Sequence, residues 1–336
     1  MRPLLPGEGA GAAPAGGALG IRPALPSGTV LTGIALLVVL VILGTILTPG
    51  FLAPENLLTI GALGMLLVIA SCGQTLVVVS GSGGIDLSVG SIISLAAVLG
   101  SQLMVGNNAL LIPAGLAVLL VGAVLGALSG AGIWYFRIPP LVMTLGMAGI
   151  ADGLALVVTQ GQPHGSASPI LAFLGSGHVL GVPVLLPLGL VVALGSQFLL
   201  TSTGYGRMLL LCGSNRQAAA TARVPVASVV VGTYALSGVY SALAGLVLLG
   251  YTITSYLNTG SPYTLPSIAA VVVGGTPLVG GQGSFGNTVL GALIITIINT
   301  ILVGLHMAEG GREVVDGAIL LAVLGAYGLR SRMRPG

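Results

Sequence analysis

Lysine is absent from this 336-residue chain: all 10 basic residues are arginines. A P-loop needs a lysine to reach the phosphates of its nucleotide, and a Schiff base needs a lysine amine. Neither centre is available here. Charge of either sign is scarce, at 5% of residues, where a soluble domain carries about 25%. With 55% hydrophobic residues and a mean hydropathy of +1.10, the chain lacks the polar groups to cover a water-facing surface. A soluble globular fold is excluded. Aromatics are also few (4%), and the arginines are scattered, so the net charge of +3 builds no stacking platform for nucleic acid. The two cysteines, Cys72 and Cys212, are too far apart in sequence to suggest a disulfide framework or zinc cluster. Cys72 reads as helix packing and Cys212 as a loop thiol. His164, His178 and His306 fall in no H-x-x-H or H-E-x-x-H pattern, and there is no G-x-S-x-G nucleophile elbow. No catalytic residue, metal ligand or cofactor-binding residue is expected on this chain.

Apolar length is abundant. Residues 1–28, rich in Gly, Ala and Pro, read as a disordered cytoplasmic tail. A membrane span needs about 20 apolar residues. Ten such segments follow, near 30–48, 57–79, 85–104, 109–133, 139–158, 182–200, 227–249, 265–280, 286–306 and 314–329. The expected class is an all-α polytopic membrane protein. Its domains read as a transmembrane region over 29–330 with a cytoplasmic loop at 201–226, and a cytoplasmic tail at 331–336. With a cytoplasmic N-terminus, Arg2, Arg22, Arg137, Arg207, Arg216, Arg223, Arg330, Arg332 and Arg334 fall inside, and Arg312 alone falls outside. This bias is the positive-inside pattern, and it places both termini in the cytoplasm. The glycine-rich stretches at 80–90 and 265–280 read as broken helices. The 56 glycines suit helices that pack through small residues.

Charge inside an apolar span must face a cavity, a partner or the interface. Asp86 reads either as a helix cap for the segment opening at Asp86-Leu87-Ser88 or as a proton or cation site. Asp152 lies about two turns inside its span, and Asp316 reads as a cap of the last one. In the cytoplasmic loop, Ser214 and Gln217 have the spacing of a capping box, and the alanines after them favour a short helix near 215–222. That helix reads as a headgroup-facing connector or as a docking element for a soluble partner.

At these residues the chain resembles a known family. The run Gly83-Gly84-Ile85-Asp86-Leu87-Ser88-Val89-Gly90-Ser91 is similar to the signature of permease subunits of bacterial ribose-type monosaccharide ABC importers. Three further segments agree. They are Thr144-Leu145-Gly146 with Gly153-Leu154-Ala155 and Gly161-Gln162-Pro163, then Gly204-Tyr205-Gly206-Arg207 with Gly213-Ser214-Asn215 and Ala218-Ala219, then Gly274-Gly275-Thr276 with Gly280-Gly281-Gln282-Gly283. The resemblance implies a transport subunit that passes a small neutral sugar inward by alternating access. It also implies a second permease subunit, a cytoplasmic ABC ATPase holding ATP and Mg, and a periplasmic or lipid-anchored sugar-binding protein. On that reading the coupling loop carries Gly204, Arg207, Gly213, Ser214, Asn215, Arg216, Gln217, Ala218 and Ala219. A weakly polar path would draw on Gln74, Asp86, Ser88, Ser94, Thr144, Asp152, Asn299 and Thr300. Helix–helix hydrogen bonds are the competing role for each. Gly83, Gly84, Gly274, Gly275, Gly280, Gly281 and Gly283 would let backbones approach at a seam. A stand-alone secondary transporter driven by H⁺ or Na⁺ through Asp86 or Asp152 is the alternative.

Overall fold

The computed structural model describes residues 27–332. The tail over 1–26 and residues 333–336, with Arg2, Arg22 and Arg334, lie outside them. The order is α1 (Ser27–Leu47), α2 (Pro54–Val79), α3 (Val89–Met104), α4 (Leu111–Tyr135), α5 (Pro140–Thr159) and α6 (Pro169–Ser176). A two-residue hairpin follows, β1 (His178–Val179) with β2 (Val182–Pro183), and then α7 (Leu185–Ser202), α8 (Gly204–Ser214), α9 (Arg216–Thr221) and α10 (Val226–Thr252). The chain closes with α11 (Thr264–Val273), α12 (Phe285–Gly304) and α13 (Glu309–Arg332).

Each of the ten expected segments contains a helix, but not all are helical throughout. Among the described residues, however, 7 helices are long and apolar enough to cross a membrane by themselves: α1, α2, α4, α5, α7, α10 and α12. α3 and α11 are shorter. α3 starts at Val89 rather than 85, because Gly81 and Gly83 take positive φ and break the helix. α11 stops at Val273, and residues 274–284 run without helix up to α12. The expected span at 265–280 is therefore a half-length helix followed by a loop.

α2 is the axis of the bundle. Every residue from Gly64 to Ser80 is buried. α10, α12, α7 and α11 pack around it. α1 has the opposite character: it leans on α12 and leaves Leu31, Ile34, Val38, Ile42 and Ile46 exposed. A helix apolar all round is either enclosed by protein or faces hydrocarbon, and these two helices illustrate the two cases.

α4 joins α10 through its small face. Gly122, Gly126 and Gly130, spaced four apart, lie against Gly238, Tyr234 and Val231, and a Cβ at Gly126 would collide with the Tyr234 carbonyl. Backbones approach this closely only where no side chain intervenes. The opposite face of α4 exposes Leu120, Val124 and Leu128.

The connections sort to two ends. At one end the Gly281 N–H donates to the Val79 carbonyl (2.9 Å), and Gly81, Gly213 and Gly280 are in backbone contact. At the other end the Gly106 N–H donates to Ser166 (3.1 Å) and the Ala167 N–H to Ile253 (2.8 Å). There the Ser101 hydroxyl also reaches the Ser255 hydroxyl at 2.6 Å. Arg137 and Arg216 share a cavity with Ser82 at the glycine end, whereas Arg312 lies at the other. Replacing Gly126 with Leu is expected to force α4 off α10, costing about 1–3 kcal/mol. Gly149→Ala, where an added Cβ meets nothing within 4 Å, is expected to be neutral. Thermal unfolding of the two variants in detergent checks both.

Candidate functional site

The glycine-rich signature is a loop fastened from three sides. Asp86 is 1% exposed. One carboxylate oxygen, Oδ1, accepts from the Ser88 N–H (2.9 Å) and hydroxyl, and Oδ2 accepts from the Ser237 hydroxyl of α10 (2.7 Å). The Gln74 amide of α2 pairs with the Asp86 main chain, donating to its carbonyl at 3.1 Å and accepting its N–H at 3.2 Å. The Thr144 hydroxyl of α5 accepts from the Leu87 N–H (3.0 Å) and is 3.3 Å from the Ile85 carbonyl. Four expected path residues, Gln74, Asp86, Ser88 and Thr144, thus converge on one loop and satisfy one another. Asp86 does accept a backbone N–H at the start of α3, but Ser88 is the N-cap residue. The carboxylate is a cross-link to α10 more than a cap. Ser94 belongs to a neighbouring contact: its hydroxyl accepts from the Gly260 N–H at 2.9 Å.

Asn299 and Thr300 lie elsewhere. They line a cavity of about 500 Å³ at the end opposite the glycines, bounded by α2, residues 261–266, α12 and α13. Thr59, Ser261 and Thr296 add hydroxyls, and Glu309, Arg312, Glu313 and Asp316 add a charged face at helical spacing on α13. Asp316 is not a cap. It sits inside α13, 5% exposed, where its carboxylate accepts from the Asn299 amide at 3.2 Å. The first turns of α13 are polar because they face this cavity, which explains a charge so deep in the last segment. Asp152 joins neither group. It is half-buried on α5, near the open Gly149 and Gly153, with no hydrogen bond or ion pair among the described residues.

The cytoplasmic loop of the sequence reading contains two helices. α8 is capped by the Thr203 hydroxyl, which accepts from Gly206 at 3.1 Å. Its Tyr205 hydroxyl meets Thr233 of α10 at 2.8 Å, and burial pushes the Tyr205 phenol up to about 12. Cys212 is buried in α8 at 1% exposure, so it is no loop thiol, and burial raises its pKa. α9 is capped by Asn215, whose oxygen accepts from Gln217 (2.9 Å) and Ala218 (3.0 Å). The expected capping box from Ser214 is not formed: that hydroxyl donates back to Leu210. Asn215 outcompetes it because its side chain reaches both free N–H groups from an extended backbone. Gly204, Arg207, Ser214, Asn215, Gln217 and Ala218 are exposed, Arg216 is half-buried, and Gly213 and Ala219 are buried.

The glycine motif meets this hairpin. Gly280 and Gly281 have φ of +86° and +75°, and a Cβ on Gly281 would strike the Ser214 side chain. Gly213 lies under the Val79 carbonyl and beside the Gly281 N–H. Gly84 and Gly283 are packed against Val77 and Val79, and Gly274 against Asn287. Gly275 takes a positive φ, whereas Gly83 stands open. Three separate stretches of sequence thus form one seam beside α8 and α9. Two important residues carried no sequence signal. Ser237 holds Asp86, and Gln197 of α7 accepts from the Phe285 N–H at 2.8 Å, capping α12 from another helix. Nothing in a single sequence distinguishes either from an ordinary polar residue in a span.

Asp86→Ala is expected to leave the Ser88 and Ser237 hydroxyls without their acceptor, at about 1–3 kcal/mol for each buried group. Asp86→Asn keeps most of these bonds. Thermal unfolding midpoints in detergent should therefore fall in the order wild type, Asn, Ala.

The chain is similar to known transport proteins. The family described as "Branched-chain amino acid transport system / permease component" matches residues 56–324. A ribose import permease of Escherichia coli (strain K12) is 34% identical over 297 residues, covering 87% of this chain and 91% of its own length. That of Bacillus subtilis (strain 168) is 36% identical over 294 residues, 86% of this chain and 89% of its own. An autoinducer 2 import system permease protein of Shigella flexneri is 31% identical over 294 residues, 88% of this chain and 85% of its own. No solved structure matches. The chain belongs to the permease components of ribose-type ABC importers: it is a multi-pass inner-membrane transport subunit and not an enzyme.

Proposed function

We propose that this subunit forms the membrane pathway for a small neutral sugar of the pentose or hexose class, driven by an ATPase on another chain. The polypeptide crosses the bilayer ten times with both termini in the cytoplasm. α3 and α11 count as partial crossings completed by the loops at 80–88 and 274–284. The glycine end is cytoplasmic, where Arg137, Arg207, Arg216 and Arg223 obey the positive-inside bias. A second permease subunit and a periplasmic or lipid-anchored binding protein complete the importer. ATP and Mg reside on the ATPase.

The observation that carries this reading is the α8–α9 hairpin. It is anchored to the bundle through Tyr205–Thr233 and the Gly213–Gly281 contact, yet it exposes Gln217, Ala218, Ala220 and Thr221. A helix presenting small and polar side chains, rigidly tied to the seam beneath it, suits a surface that transmits a push. ATP-driven closure of the ATPase pair would move α9, and the seam would carry that movement to α2 and the 80–88 loop. The cavity around Asn299 and Thr300, on the opposite side, would receive solute from the binding protein. Its hydroxyls, amide and carboxylates complement sugar hydroxyls without a fixed site of high affinity.

Single cysteines at 217, 218 and 220 are expected to crosslink to the ATPase in the assembled complex, in a manner that changes with ATP. Cys72 and Cys212 are buried and should give no background. Free labelling of the introduced cysteines by a bulky impermeant reagent in the complex would remove α9 from the interface.

In liposomes, uptake is expected to require the ATPase and ATP, and to survive Asp152→Asn. Accumulation by the purified subunit from a proton or sodium gradient alone, abolished by that change, would establish the secondary-transporter alternative instead.

A further inference from the structure

A second cavity, of about 480 Å³, opens at the glycine end between the α4–α5 turn and α9. Arg137, Arg216, Ser82 and Trp134 line it. No acidic residue does, and neither guanidinium has an ion pair among the described residues. Asp86, an acid near this end, is occupied by Ser88 and Ser237. The Nε of Arg216 is buried and has no hydrogen-bond partner among the described residues. A half-buried guanidinium, Arg216, beside an exposed one, Arg137, with no counter-charge in the cavity favours an anion, and their planar forks match phosphate oxygens.

The surroundings indicate how that anion arrives. α4 exposes Leu120, Val124 and Leu128 along one face, and the same face reaches Tyr135, 68% exposed, followed by Phe136, 79% exposed. Exposed aliphatic residues ending in aromatics mark the boundary between acyl chains and headgroups. A free phosphate would use the arginines only. A phospholipid would use the arginines for its phosphate and the α4 face for an acyl chain.

We propose that this cavity holds the phosphate of an anionic phospholipid, with an acyl chain laid along Leu128, Val124 and Leu120. The site is independent of the transported solute and of any partner on the outer face of α9.

The only tryptophan of the chain is Trp134, so its fluorescence reports on this cavity alone. The full chain would be placed in phosphatidylcholine bilayers containing a minor fraction of acyl-brominated phosphatidylglycerol or acyl-brominated phosphatidylcholine. Quenching by the phosphatidylglycerol is expected at roughly tenfold lower mole fraction, as two arginines near a membrane surface allow. Arg137→Gln with Arg216→Gln should equalise the two lipids, and the Arg→Lys pair should keep most of the preference. Circular dichroism confirms that each variant is folded; should the glutamine pair fail to fold, the exposed Arg137→Gln alone should lose part of the preference. Millimolar inorganic phosphate should leave quenching unchanged. Protection by phosphate would assign the site to a soluble anion and overturn the lipid. Equal quenching by both lipids in the wild type, as an acidic protein segment seated there would give, also overturns it. So does a preference that survives the glutamine substitutions in folded protein.

Discussion

A break in a helix within an apolar layer persists only where other segments supply the hydrogen bonds that the backbone has lost. The loop between α2 and α3 is such a break, and the arrangement of the bundle follows from how it is satisfied. Gln74, Thr144 and Ser237 come from three helices and bond to Ile85, Asp86 and Leu87 or to the Asp86 carboxylate. Each helix must therefore sit at a fixed height and rotation about α2. The carboxylate that looks most like an ion site in the sequence is the centre of this framework.

The two ends of the molecule are built differently. At the glycine end, Gly81, Gly213, Gly280 and Gly281 bring backbone against backbone, leaving no side chains between segments that would cushion relative movement. At the other end, the backbone bonds from Gly106 to Ser166 and from Ala167 to Ile253 are joined by the Ser101–Ser255 hydroxyl contact and by a polar cavity of about 500 Å³ between α12 and α13.

Polar residues are few in this chain, and several of them fall into three sets. One set stabilises the α2–α3 break, a second lines the cavity around Asn299 and Asp316, and a third, Arg137 and Arg216, lines the cavity beside α9. The sequence pattern grouped residues of the first two sets as one candidate pathway and placed the arginines of the third in cytoplasmic connections. Distance in sequence offered no reason to separate Thr144 from Asn299, because spans that pack together need not be neighbours along the chain.

Composition and periodicity alone determined that this is a helical membrane protein, because hydrocarbon tolerates little else. They also marked ten apolar segments, the short helix α9 and the glycine-rich stretches, since helix length and backbone freedom are local properties, but not the helices α6 and α8. What each polar group does was decided only by tertiary structure. Ser237 becomes a partner of Asp86, Gln197 a cap for α12, and Asp316 a cavity wall through contacts between residues tens or hundreds of positions apart. Such pairings arise from the rotation and depth of packed helices, and a linear pattern does not encode those quantities.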